Sequence, residues 1–237
     1  MLVNPCLEPG MRRYWVPSDA ASATFGSDLA DHWFPVRPDG DAAFLYGTLK
    51  SLLDRGAVDA AWIASHTTGF EDLRSRVESL DWAELEAGSG LPRASMEEFA
   101  GLLAEARSGV LVCSMGITQG PAGADAVRLI INVALARGWI GRDHCGVMPI
   151  RGHSSVQGGA EMGCYATALP GGKPLTEENL AALEATYGFP LPREKGLTAP
   201  EMVAAAAGGE LDLLYCVGGN LLRTLPEPGH EIGRAHV

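Results

Sequence analysis

The chain has 237 residues, 46% of them apolar and 20% charged, a balance that supports folded domains and excludes disorder. With 29 acidic against 18 basic residues its formal charge is −11, so no nucleic-acid partner is expected, because phosphate binding needs a basic surface. No apolar run reaches the roughly 18 residues of a membrane span, and five scattered cysteines without a C-x-x-C pair exclude a contained iron–sulfur or zinc site by spacing and argue against a disulfide framework.

In chain order, Leu2 and Val3 read as the end of a buried strand that breaks into the loop NPCLEPG. A domain seldom opens on a strand's end, so an internal piece of a longer protein is expected. Residues 10–40 hold few periodic apolar positions and read as a long surface loop ending in PVRPDGD. From Asp41, the residues Phe44, Leu45, Leu49, Leu52 and Leu53 line one face of a helix that Gly56 ends. Short helices follow over 59–66, 71–78 and 81–87. Ser95 with Glu98 three residues on predicts a capping box for the next helix, which carries Phe99, Leu102 and Leu103 on one side. GVLVCS suits a buried parallel strand, MGITQGPAG a loop, and ADAVRLIINVALARG an apolar helix ended by Gly138. Helices alternating with a buried strand and glycine loops predict an α/β layered domain.

Beyond residue 170, Thr176 opens a helix through Tyr187, and TAPEMVAAAAGG is another, with Pro200 near its start. ELDLLYCVGGN predicts a strand running into a Gly-Gly-Asn turn. The tail IGRAHV (232–237) has no fold logic and, back-translated, resembles a sequencing-library adapter; it is expected to be non-native.

Four loops share one design, a polar or strand-terminal segment followed by glycine: VNPCLEPG, PVRPDGD, SMGITQG and RGHSSVQGG, with VGGN as a fifth. In α/β folds such loops gather at the carboxyl ends of strands and present backbone N–H groups to phosphates. Arg37, Arg151, Gln119 and Gln157 can donate hydrogen bonds to anionic or heterocyclic groups. Asp41 can accept from the amino and ring N–H groups of guanine, or cap its own helix. None of the loops matches G-x-G-x-x-G or the P-loop pattern, which excludes ordinary dinucleotide and triphosphate sites.

Taken in order, RPDGDAAFLYGTLKSLLDRGAVDAAWIASHTTGFEDL, MGITQ and RGWIGRDHCGVMPIRGHSSVQG make the chain resemble the molybdopterin-dependent oxidoreductases. The histidine of R-G-H, NPCLEPG and VGGN are similar to the formate-dehydrogenase-like catalytic (alpha) subunit branch. The likeness covers about residues 2–228, truncated at both ends. It departs from the family pattern at Asp39, where glycine is usual, at Trp139 in place of the asparagine of G-N-I-G, and at Ser155 in place of the asparagine of N-V-Q-G.

The resemblance implies a Rossmann-like parallel-sheet unit over residues 1–153, part of the family's third domain, which binds a guanine dinucleotide. A partial second α/β unit, part of the second domain, is implied over 154–231. The implied cofactor is bis(molybdopterin guanine dinucleotide) with molybdenum or tungsten. A 4Fe-4S cluster and any metal-ligating residue are expected only outside this chain. Asn4, Arg37 and Asp41 would serve the guanosine end, and Met115, Gly116 and Gln119 would line the cofactor near the metal. Ser155, Gln157, Gly158, Gly218 and Asn220 would contact the pterin and phosphates. Arg151 and His153 would be catalytic, with Arg151 orienting a small anion such as formate. The expected setting is the cytoplasm, with an electron-transfer partner and a small-molecule substrate. Two other readings stand beside this one: a non-catalytic nucleotide-binding α/β module, and a piece of a thiamine-dependent enzyme. Against the second, PDGDAA lacks the downstream asparagine-bearing metal motif.

Overall fold

The structure, a computed structural model, describes residues 1–220 and residue 224. The chain forms two compact units, one of Met1–Gly152 and one that begins at His153.

The first unit opens with β1 (Leu2–Val3), α1 (Pro9–Arg12), β2 (Arg13–Tyr14), α2 (Ala20–Phe25), β3 (Ser27–Asp28) and β4 (Trp33–Phe34). The stretch expected as one long loop is therefore folded locally. β2 and β3 pair antiparallel, and Asp19 caps α2 by accepting from Ser22 N at 2.7 Å. β1 pairs in parallel with β4, Leu2 opposite Trp33 and Val3 opposite Phe34. Strand β4 escaped the pattern because two residues carry no period.

Next come α3 (Asp41–Asp54), α4 (Ala60–His66), α5 (Phe70–Glu78), α6 (Trp82–Ser89) and α7 (Arg93–Glu105), close to the helices read from periodicity. Their caps differ from expectation. Ser95 lies inside α7, which begins after Pro92, and no side chain caps it there. Instead Glu86 Oε1 accepts from Arg93 N at 2.6 Å, so a carboxylate from α6 satisfies an orphan donor of the first turn. Asp59 and Asp81 cap α4 and α6 by accepting from Trp62 N and Ala83 N.

The unit closes with β5 (Val110–Cys113), α8 (Met115–Thr118), α9 (Gly123–Ala136) and β6 (Gly146–Pro149). β5 and β6 are parallel, from Val110 opposite Gly146 to Cys113 opposite Pro149. The inner side chains Leu111, Cys113 and Val147 pack on the core, whereas Val110, Val112 and Met148 face outward and exposed. The two parallel pairs are separate two-stranded sheets among the described residues, so the unit is mixed α/β with small parallel sheets.

The core is helical. α3 packs against α5, α6, α7 and α9, and Phe44, Leu49 and Leu52 are buried almost completely. Phe34, Phe44 and Phe99 form an aromatic triangle with centroids 5.1 to 5.8 Å apart. Arg137, at the end of α9, donates to the carbonyls of Ala57, Ala104 and Ala106 and so ties three segments together. Its guanidinium lies 5.6 Å from the ring of Trp139, which is 1% exposed. A Cβ on Gly109 would stand 2.5 Å from that ring, so the indole forms the floor under the start of β5. Trp139 is thus a core residue.

The second unit holds α10 (Val156–Glu161), the antiparallel pair β7 (Ala168–Leu169) and β8 (Lys173–Pro174), α11 (Glu177–Tyr187) and α12 (Ala199–Gly208). Thr176 caps α11 by accepting from Asn179 N. Glu201 accepts from both the N–H and the hydroxyl of Thr198, and these bonds hold its pKa below the ordinary range. The strand expected at 210–220 is not seen: among the described residues 211–217 take no sheet partner, and Leu213, Tyr215 and Val217 are exposed. Alternation alone does not make a strand without an edge to pair with. The expected tail at 232–237 lies outside the described residues.

Glu184 receives two guanidinium nitrogens of Arg193 and the backbone N–H of Leu191. The Arg193 bonds, then the Leu191 bond, depress its carboxyl to about 2. A depressed carboxyl stabilises the folded state above its ordinary range and loses that contribution as pH falls toward 2. Carbon-detected NMR titration should place the Glu184 midpoint near 2, and Arg193→Ala should return it to the ordinary glutamate range. In the first unit, Phe44→Ala should cost about 3–5 kcal/mol of unfolding free energy, read as a lower denaturation midpoint in urea.

Candidate functional site at the carboxyl ends of β5 and β6

Parallel strands send their carboxyl ends the same way, so Cys113 and Pro149 deliver two loops to one edge. The first runs through Ser114 and α8 to Gln119 and Gly120; the second is Ile150–Gly152. Ser114 Oγ donates to Ile150 O at 2.9 Å, and Ile150 N donates to Cys113 O at 2.7 Å. A Cβ on Gly152 would collide with Met115 Sδ, so the M-G-I-T segment and Gly152 are in close contact. A third loop joins them, since a Cβ on Gly120 would overlap Asp39 Oδ1 in the 37–41 turn. The structure therefore assembles three of the predicted loops in the first unit.

Asp41 is the first residue of α3 rather than its N-cap, a position taken by Gly40. Burial raises its pKa; a bond to its own backbone N–H opposes this, and the neighbouring Asp39 charge adds a further rise. Gly40 has no room for a side chain, because a Cβ would stand 2.9 Å from the carbonyls of Arg37 and Ser89. Arg37 donates to Ala87 O at 3.0 Å and packs beneath Gly40 and Gly90, which ties the turn to the end of α6. Asn4 is half-buried; its amide donates to Cys6 O at 2.6 Å, and its carbonyl accepts from Trp33 Nε1 at 2.8 Å.

Met115, Gly116, Gln119 and Arg151 are exposed at this edge. A Cβ on Gly116 would meet nothing within 4 Å, so its backbone faces open space. Among the described residues Arg151 takes no side-chain hydrogen bond or ion pair, and its five donors are available. Asp39, a departure from the expected glycine and not a predicted site residue, is the side chain that meets Gly120.

In the second unit, His153, Ser155, Gln157 and Gly158 are exposed. Ser155 precedes α10 at φ 60°, and Gln157 Nε2 donates to Glu161 Oε1 at 3.0 Å. Gly218, at φ 75°, and Asn220 are exposed, and Asn220 O accepts from Thr224 N.

Among the described residues no three His, Cys, Asp or Glu side chains gather as metal ligands, and no helix is long and apolar enough to cross a membrane. A cleft of about 410 Å³ between α4 and α5, lined by Val58, Ile63, Thr67, Phe70 and Arg74 among others, includes none of the predicted residues.

Comparison with known proteins gives the following. No protein-family model matches the chain. Protein YdeP of Shigella flexneri is 33% identical over 237 residues, 95% of this chain and 30% of that protein. An "Uncharacterized oxidoreductase" of Mycobacterium tuberculosis is 29% identical over 232 residues, 95% of this chain and 29% of that protein. A "Putative formate dehydrogenase" of Staphylococcus aureus is 32% identical over 193 residues, 81% of this chain and 20% of that protein. The chain is similar to oxidoreductases. It spans about 30% of the length of the first of these relatives. Among solved structures, acetylene hydratase from Pelobacter acetylenicus superposes with a TM-score of 0.47 at 19% identity, over 49% of this chain and 16% of that one.

Proposed function

We propose that the chain is part of the catalytic subunit of a formate-dehydrogenase-like, molybdopterin-dependent oxidoreductase that binds bis(molybdopterin guanine dinucleotide). The observation that carries this reading is the meeting of the 37–41, 114–120 and 150–152 loops where parallel β5 and β6 end. Relatives named as oxidoreductases support it.

The residues present fit such a group. Gly116 leaves open space for close backbone approach, and Arg151 offers a planar donor fork to an anion. Asp41 offers a carboxylate at the start of α3, a poor place for phosphate but a good one for the N–H edge of guanine. On this reading the first unit is the Rossmann-like part of the third domain. Asn4 and Asp41 face the guanosine, and Arg37 fixes the 37–41 turn that leads to Asp41 through Ala87. Met115, Gly116 and Gln119 line the inner cofactor, and Arg151 orients a small anionic substrate such as formate; on the resemblance alone His153 is catalytic. On the resemblance alone, Ser155, Gln157, Gly158, Gly218 and Asn220 take the pterin side within a part of the second domain. Molybdenum or tungsten, when bound, supplies the two-electron chemistry, and the chain's own residues bind, orient and exclude water.

Guanosine diphosphate should bind this chain in calorimetry and adenosine diphosphate should not. Asp41→Asn should weaken guanosine diphosphate roughly tenfold, as expected for loss of a charged two-point contact to the base. Equal binding of both nucleotides, or of neither, overturns the reading. In the full-length oxidoreductase, Arg151→Lys should lower turnover while molybdenum content stays constant, because lysine cannot reproduce a bidentate guanidinium.

A further inference from the structure

Asp39 is given no ligand contact in the reading above, yet it makes the contact that joins two of the loops. It sits at φ 63°, a left-handed conformation that Asp and Asn tolerate better than most side-chain-bearing residues. A Cβ on Gly120 would overlap Asp39 Oδ1 and stand 3.0 Å from Asp39 Cγ. The Gly120 Cα–H in that direction therefore points at the carboxylate oxygen, a Cα–H···O contact between segments far apart in sequence. The α8–α9 loop is also tight within itself, since a Cβ on Gly123 would stand 2.6 Å from Thr118 O. A contact at Gly120 thus fixes the short stretch that carries Gln119.

We infer that Asp39 is a positioning residue that latches the α8–α9 loop to the turn before α3, so that these two loops of the candidate site are set before the ligand arrives. This rests on the cofactor reading. Two consequences of a carboxylate here have opposite sign. As a negative charge near an anionic ligand, Asp39 weakens binding. As a latch it strengthens binding, by removing loop positions that do not bind.

Variants separate the two. Asp39→Asn removes the charge but keeps an oxygen acceptor and the tolerance of left-handed backbone. Asp39→Gly keeps the backbone conformation and removes both charge and acceptor. Gly120→Ala keeps Asp39 but fills its seat, at a position whose φ is not in the left-handed region.

Guanosine diphosphate is titrated calorimetrically into the parent chain and each variant, with hydrogen exchange followed across residues 114–123. Asp39→Asn should stay within about twofold of the parent, while Asp39→Gly and Gly120→Ala should weaken binding roughly two- to fivefold. Amides of 114–123 should exchange faster in those two variants, with little change in thermal midpoint. Binding by Asp39→Gly that equals or exceeds the parent's overturns the latch and leaves Asp39 as a charge alone. If the parent does not bind guanosine diphosphate, the cofactor reading fails instead. The exchange measurement still decides the latch, because unaltered exchange in Asp39→Gly overturns it.

Discussion

Gly47 is where α3 is crossed most closely: a Cβ there would collide with Met96 Sδ and stand 3.3 Å from the ring of Trp82. Two helices, α6 and α7, thereby settle onto α3, and the aromatic triangle of Phe34, Phe44 and Phe99 closes over its first turns. The start of α3 is then held against the end of α6. The Ser89 carbonyl closes on Gly40, Arg37 reaches the Ala87 carbonyl, and Asp41 is left half-buried at the first helical position. The candidate site inherits its order from this packing rather than from any long sheet. A methyl at Gly47 would have to displace the buried Met96 side chain from its seat against α3.

Helices were the legible part of the fold. Phe44, Leu45, Leu49 and Leu52 are spaced for one face, and they are buried together. The caps were less legible, because a cap depends on what else reaches the helix end. Ser95 and Glu98 had the right spacing, yet α7 starts three residues earlier, where Glu86 of another helix supplies the acceptor. Strand pairs of two residues, such as Trp33–Phe34, carry no period at all. Conversely, 211–217 has the composition of a strand, but composition cannot supply a partner edge.

At the site, glycine was the informative residue. Gly120 and Gly152 each stand where a neighbouring side chain occupies the space of a Cβ, and both belong to segments singled out by their glycine and polar content. What glycine cannot disclose is the identity of the neighbour. Asp39 and Met115 fill those spaces, and neither pairing follows from sequence spacing, because each depends on how β5, β6 and α3 are brought together.

The burial of Trp139 has an optical consequence. Of the five tryptophans, Trp15 and Trp33 are exposed, Trp62 and Trp82 are half-buried, and Trp139 alone is fully enclosed. Its indole lies against a guanidinium on one side and the Gly109 backbone on another. The short-wavelength edge of the intrinsic emission therefore belongs to one side chain, seated beneath the strand that feeds the candidate site. The first unit thus carries a built-in fluorophore whose colour reports on the floor of β5, with no label attached.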